Sequence, residues 1–179
     1  MMLGTKGVST PDPKYPRNMD PGVYEVEITG FTYEKGTAAD SEWFDVFFQN
    51  SSKEVHRERL FCNDVGKNNT SPFHYALGQI KHLAVNTLQN GSLITEEQID
   101  SIAAATKKDL AEAYNAVFTG GKLRISLSKF TKTTGKSYVQ FSYVPFAQSI
   151  LEENKLRFMD KENVKISTPA STQKIENLI

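Results

Sequence analysis

Glu42-Trp43-Phe44-Asp45-Val46-Phe47-Phe48-Gln49 packs four aromatic residues and a β-branched valine into eight positions, with no glycine or proline. Such residues fit a pleated, half-buried surface, so the stretch reads as a strand. Side chains alternate along a strand, which puts Phe44, Val46 and Phe48 on one face and Trp43, Asp45 and Phe47 on the other. The first set is wholly apolar and the second carries a carboxylate, so the first is assigned to the core. Trp43 and Phe47 then lie on a face that is either open or covered by a second layer. An open sheet face with aromatics and nearby cations is how a protein stacks unpaired bases. A covered face makes the same residues core.

Upstream, Pro21-Gly22 signals a turn, and Tyr24, Val26 and Ile28 alternate with Glu25, Glu27 and Thr29. After Gly30 the parity switches to Phe31 and Tyr33, which predicts a bulge where the strand bends. Residues 34–41 form a hairpin loop that carries Lys35. Residues 1–21 hold four of the seven prolines and almost no apolar residues, so they are expected to be a flexible, mildly basic arm. Downstream, a turn at Asn50–Lys53 leads to a third strand, Val55 to Cys62, whose Arg57, Arg59 and Phe61 share a face. Two arginines at spacing two beside an aromatic suit phosphates and bases. They equally suit a solvated edge strand paired with Glu25, Glu27 or Asp45.

A helical insert is expected over residues 71–120. Ser71-Pro72 is an N-cap followed by proline at the first helical position, with Phe73, Leu77, Ile80, Leu83 and Ala84 on one face. This helix is expected to run to about Leu88, with Asn90-Gly91 ending it. Thr95-Glu96-Glu97-Gln98 is a capping box for a second helix. Thr106 opens a third segment, carrying Leu110, Tyr114, Val117 and Phe118, that Gly120-Gly121 ends. A fourth strand covers Lys122 to Phe130, with Leu123, Ile125 and Leu127 inward and Lys122, Arg124, Ser126, Ser128 and Phe130 outward. A loop with Lys132 and Lys136 leads to a fifth strand, Ser137 to Phe146. Ala147 to Asp160 is expected to be a short helix, and residues 161–179 a polar tail whose final Leu178-Ile179 are a docking hook or a frayed end.

Bulk properties narrow the class. The 179 residues suit one domain, 39% hydrophobic and 23% charged, which matches a soluble globular protein. Lysines plus arginines equal aspartates plus glutamates at 21 each, which counts mildly against an unspecific polyanion binder, although local distribution matters more than the sum. Cys62 is the single cysteine, so no internal disulfide forms and a reducing cytoplasm is expected. No apolar run reaches the ~18 residues of a membrane span, and no export signal is expected at the start. Catalytic patterns are missing: Cys62, His74 and His82 match no zinc spacing, Cys62 has no evident base, and Gly120-Gly121-Lys122 is not a phosphate loop. The expectation is a protein without cofactor, metal or enzymatic activity.

Three strands, a helical segment and two strands is the order of an OB-fold, a five-stranded antiparallel barrel that binds oligonucleotides on its second and third strands and adjoining loops. Here that surface would carry Trp43, Phe47, Arg57, Arg59 and Phe61, flanked by Lys35, Lys129, Lys132, Lys136 and Tyr138. The blocks Gly22–Ile28, Glu42–Gln49, Arg59–Phe61, Phe73–Leu83 and Gly121–Ile125 resemble, in order and character over residues 22–146, the bacteriophage OB-fold single-stranded-DNA-binding proteins. The resemblance implies coating of single-stranded DNA in phage replication or recombination, in the host cytoplasm, with homo-oligomerisation left open. Two features depart from it: the insert is longer than a minimal OB helix, and the tail lacks an acidic run ending in an aromatic. Recruitment of phage replication or recombination proteins through the tail is correspondingly in question. The competing reading is a phage tail or virion component, or a host-protein-binding module, that uses the same aromatic face.

Overall fold

A computed structural model of the chain describes residues 16–38, 41–64, 71–160 and 163–164. The strands are β1 (Gly22–Lys35), β2 (Glu42–Asn50), β3 (Val55–Phe61), β4 (Leu88–Gln89), β5 (Ser92–Leu93), β6 (Lys122–Thr131), β7 (Ser137–Phe141), β8 (Ala147–Gln148) and β9 (Asn163–Val164). The helices are α1 (Pro72–Val85), α2 (Glu96–Asp100) and α3 (Lys107–Phe118). The protein is mainly β. Its open sheet runs β3-β2-β1-β6-β4-β5, with β7, β8 and β9 also on β6. Every pairing is antiparallel except the short β6–β9 contact.

The face assignment of β2 holds: Phe44, Val46 and Phe48 are at most 1% exposed. Each contributes about 1.5–3 kcal/mol by leaving water. The parity switch in β1 is a register shift between Ile28 and Gly30. α3 supports this irregular stretch. Phe31 N–H donates to Asn115 Oδ1 (2.9 Å), and the Phe31 ring stacks on Phe118 at 5.8 Å and meets Tyr114 at 5.2 Å. α1 starts at the expected place, with Ser71 Oγ accepting from His74 N–H and Pro72 at the first position. The capping box of α2 makes both reciprocal bonds. Asn90-Gly91 does not end α1. Both residues have positive φ (51° and 86°) and form the turn of the β4–β5 hairpin, the conformation that Asn-Gly favours between paired strands.

Strand pairing does not close the sheet. Among the described residues β3 and β7 share no ladder, and a side chain spans the gap. Glu58 Oε2 accepts from Phe141 N–H (2.9 Å) and pairs with His56 Nε2 (2.6 Å), with His56 and Glu58 both buried. The Phe141 ring lies 5.6 Å from Phe48 and 6.2 Å from His56.

Four further expectations are corrected. The outward face of β6 is covered, because Arg124, Ser126, Ser128 and Phe130 are all buried. The cover is the segment expected to be a helix. Residues 147–160 contain no helix and run over β6 as β8, a turn and extended chain. Arg124 Nη1 donates to Gln148 Oε1 and to the carbonyls of Ser149 and Glu152, and Nη2 pairs with Glu25 at 3.0 Å. Ser142 Oγ lies 2.6 Å from both Ser126 Oγ and Ser128 Oγ, Ser126 Oγ donates to the Arg157 carbonyl, and Ser128 Oγ accepts from Met159 N–H. A segment whose main chain is bonded by another strand's side chains has little to gain from helical pairing. The fifth strand is also shorter than expected, ending at Phe141. Finally, the arm is docked at its end. Met19 N–H donates to the Val55 carbonyl, Val55 N–H donates to the Arg17 carbonyl, and Met19 is 2% exposed. Residues 1–15 and Leu178-Ile179, read above as a docking hook or a frayed end, lie outside the described residues.

Candidate nucleic-acid interface

The β2–β3 register builds three rungs on the outer face: Trp43 opposite Phe61, Asp45 opposite Arg59, and Phe47 opposite Arg57. Rungs two residues apart are about 7 Å apart along the strands, so the outer two are separated by about 13 Å. The face is neither fully open nor covered. Phe61 is 53% exposed and Arg57 is exposed, while Trp43 and Phe47 are half-buried.

The middle rung is occupied by its own chemistry. Asp45 is buried and accepts from Arg59 Nε at 3.2 Å, from Arg59 Nη2 at 3.4 Å and from Trp43 Nε1 at 3.3 Å. The Arg59 guanidinium lies 4.1 Å from the Trp43 ring centroid, and Phe61 meets that ring edge-on at 6.2 Å. Arg59 thus spends its charge on Asp45 and covers one face of the indole. Sequence reading took Trp43 as a base platform and Arg59 as a phosphate contact. In the structure they form one composite surface, and Asp45 sets its position. The register supplies the signal that finds Asp45: the carboxylate faces an arginine directly across the hairpin.

The end rung leads elsewhere. A groove of about 620 Å³ is lined by Phe47, Phe48 and Arg57, by Val55 and His56, by Asn18–Asp20 of the docked arm, by Thr29, and by Val139 of β7. A second depression of about 390 Å³ adjoins it, sharing Asp20 and Val139, and is lined also by Pro21, Lys129, Ser137, Tyr138 and Asp160. Two pairs of predicted residues far apart in sequence, Phe47 with Arg57 and Lys129 with Tyr138, therefore share one continuous surface. Lys132 Nζ stands 5.5 Å over the Tyr138 ring, which lies 6.0 Å from Phe130. Burial first, then Tyr143 and the carboxylate of Glu58, hold the Tyr138 hydroxyl above its ordinary pKa. It is a neutral donor at physiological pH.

Lys35 and Lys136 are not brought into either depression. Lys35 ends β1 opposite Glu42, and Lys136 is exposed in the β6–β7 loop. Arg57, Lys35, Lys129, Lys132 and Lys136 have no carboxylate within ion-pair distance among the described residues. Sequence reasoning missed Asn18, Met19, Asp20 and His56. No local pattern marks the first three, because their place depends on one long-range bridge to Val55.

Near the other end of β2, Lys107 Nζ binds Glu42 and Asp64, each at 2.8 Å, and Tyr33 Oη donates to Glu42 at 2.5 Å. These bonds hold Glu42 below the usual carboxylate range, Lys107 foremost, and the Glu42 bond pushes Tyr33 up to about 12. Among the described residues no group of three or more His, Cys, Asp or Glu side chains is placed to hold a metal, and no helix is long and apolar enough to cross a membrane. No protein-family model matches the chain, and no curated protein matches it.

Proposed function

We propose that this protein binds single-stranded DNA without sequence preference, along the β2–β3 face and the groove that leads from it to β7. The observation that carries the reading is the groove itself. It joins Phe47 and Arg57 to Tyr138 and Lys129 through Asp20 and Val139, which line both depressions, and Arg57 and Lys129 have no carboxylate within ion-pair distance among the described residues. Aromatic platforms and a cationic track are what sequence-tolerant single-strand binding requires, and each stacked base is worth about 1–3 kcal/mol. Trp43 with Arg59 stacked on it, Phe47, Phe61 and Tyr138 supply the aromatic surface, and Arg57, Lys129 and Lys132 the phosphate contacts. Lys35 and Lys136 extend the track at its margins.

The strand order and the Glu58 bridge between β3 and β7 support an OB-type barrel whose last seam is made by side chains. Coating of single strands in phage replication or recombination is the role that the resemblance implies. Trp43 is the only tryptophan, so its emission reports on the surface directly. Titration with oligo-dT is expected to change that emission, because Arg59 sits on the ring, and to show much weaker binding of a duplex of equal length. Absence of oligo-dT binding at low salt overturns the proposal.

A further inference from the structure

The lining of the groove includes one imidazole that neither the stacking surface nor the phosphate contacts use. His56 is 7% exposed, and its ring lies 6.3 Å from Phe48 and 6.2 Å from Phe141. Its Nε2 is committed to Glu58 at 2.6 Å, and Glu58 is itself fixed by Phe141 N–H. A neutral imidazole that donates from Nε2 to a carboxylate carries its lone pair on Nδ1. That nitrogen has no partner among the described residues. It is not sealed off either, since the one fully buried side-chain nitrogen or oxygen without a partner among them is Nε2 of His82. His56 lines the groove together with Phe47, Phe48 and Val139, and Nδ1 is the ring nitrogen it has left to offer there.

Resting on the single-strand reading, we infer that His56 Nδ1 accepts a hydrogen bond from the Watson–Crick edge of one base turned into the groove. Unpaired bases offer an N–H donor on that edge: the ring N–H of thymine and guanine, the amino groups of adenine and cytosine. In a duplex those donors are spent on the complementary strand. One contact therefore discriminates single from double strands without selecting a base. Glu58 acts through His56 as a positioning residue, holding the tautomer and the ring plane.

The test places the change on the ligand, so the fold is untouched. The intact protein is titrated with dT8 and with an octamer of N3-methylthymidine, which keeps charge and stacking area but has no ring N–H. A buried acceptor left unpaired loses about one hydrogen bond, so the methylated octamer is expected to bind about tenfold more weakly. In parallel, the ¹⁵N resonance of His56 Nδ1, one of only three histidines, is expected to move on addition of dT8 and to stay in place with the methylated octamer. Equal affinities, or a His56 Nδ1 resonance that ignores dT8, overturn this inference and leave the binding proposal standing. Failure of both octamers to bind overturns both.

Discussion

Arg57 offers the sharpest test of the groove. Its side chain is exposed and has no carboxylate partner among the described residues, so Arg57→Ala is expected to leave thermal stability unchanged. Three unpaired cations stand at the groove: Arg57 and Lys129 in its lining, and Lys132 over Tyr138. Each phosphate neutralised on a single strand contributes about −0.7 to the slope of log affinity against log salt, so the intact protein is expected to show a slope of about −2. Between 50 and 200 mM salt its affinity should fall about twentyfold. Arg57→Ala removes one contact, giving a slope of about −1.4 and a fall of about sevenfold over the same range. The assay is fluorescence anisotropy of labelled dT12 at four or five salt concentrations. An unchanged slope in a folded Arg57→Ala protein refutes the placement of the phosphate track.

Glu58→Ala leaves the His56 Nε2 donor and the Phe141 N–H unpaired at a buried site, and is expected to cost about 1–3 kcal/mol for each, read as a lowered midpoint of thermal or denaturant unfolding. Glu42 has its pKa lowered by Lys107 first and Tyr33 second. A carboxylate depressed in the folded state stabilises above its unfolded pKa, and that contribution is lost as pH falls through the folded value. Stability should therefore drop below about pH 4.5, and Lys107→Met should flatten that part of the profile in unfolding experiments run from pH 7 to pH 3. Cys62 is fully buried, and burial pushes its thiol up to about 12. It should resist thiol reagents at pH 8 in the native protein and react promptly in denaturant, and equal rates in the two states would contradict the packing.

Local chemistry was legible wherever a residue's effect stays within a few positions. The alternation in Glu42–Gln49 identified the buried face of β2. Ser71-Pro72 and the Thr95–Gln98 box identified helix starts, and Gly30 the irregularity in β1. The same local view explains two errors. Asn90-Gly91 serves equally as a helix stop or a hairpin turn, and the turn goes with the pairing of Leu88 with Leu93 and of Gln89 with Ser92 on either side of it. Residues 147–160 carry enough apolar residues for a helix, yet Arg124, Ser126 and Ser128 bond their main chain and side chains in an extended path.

By itself the sequence determined which residue types alternate, where the chain turns and which helices are capped, because propensity, capping and periodicity act over neighbours. Tertiary structure alone decided what lies opposite what. It placed Asp45 under Arg59, Met19 beside Val55, the 147–160 segment over β6, and Val139 across the groove from Arg57. A polar, alternating face such as Lys122–Phe130 looks the same whether it meets water or a hydrogen-bonding strap. Its serines find hydrogen-bond partners 14 to 31 residues further along the chain. The candidate site divides the same way. Its aromatics and cations were readable as types, but the groove exists only because the sheet coils until β7 faces β3, with Glu58 bonded across the seam.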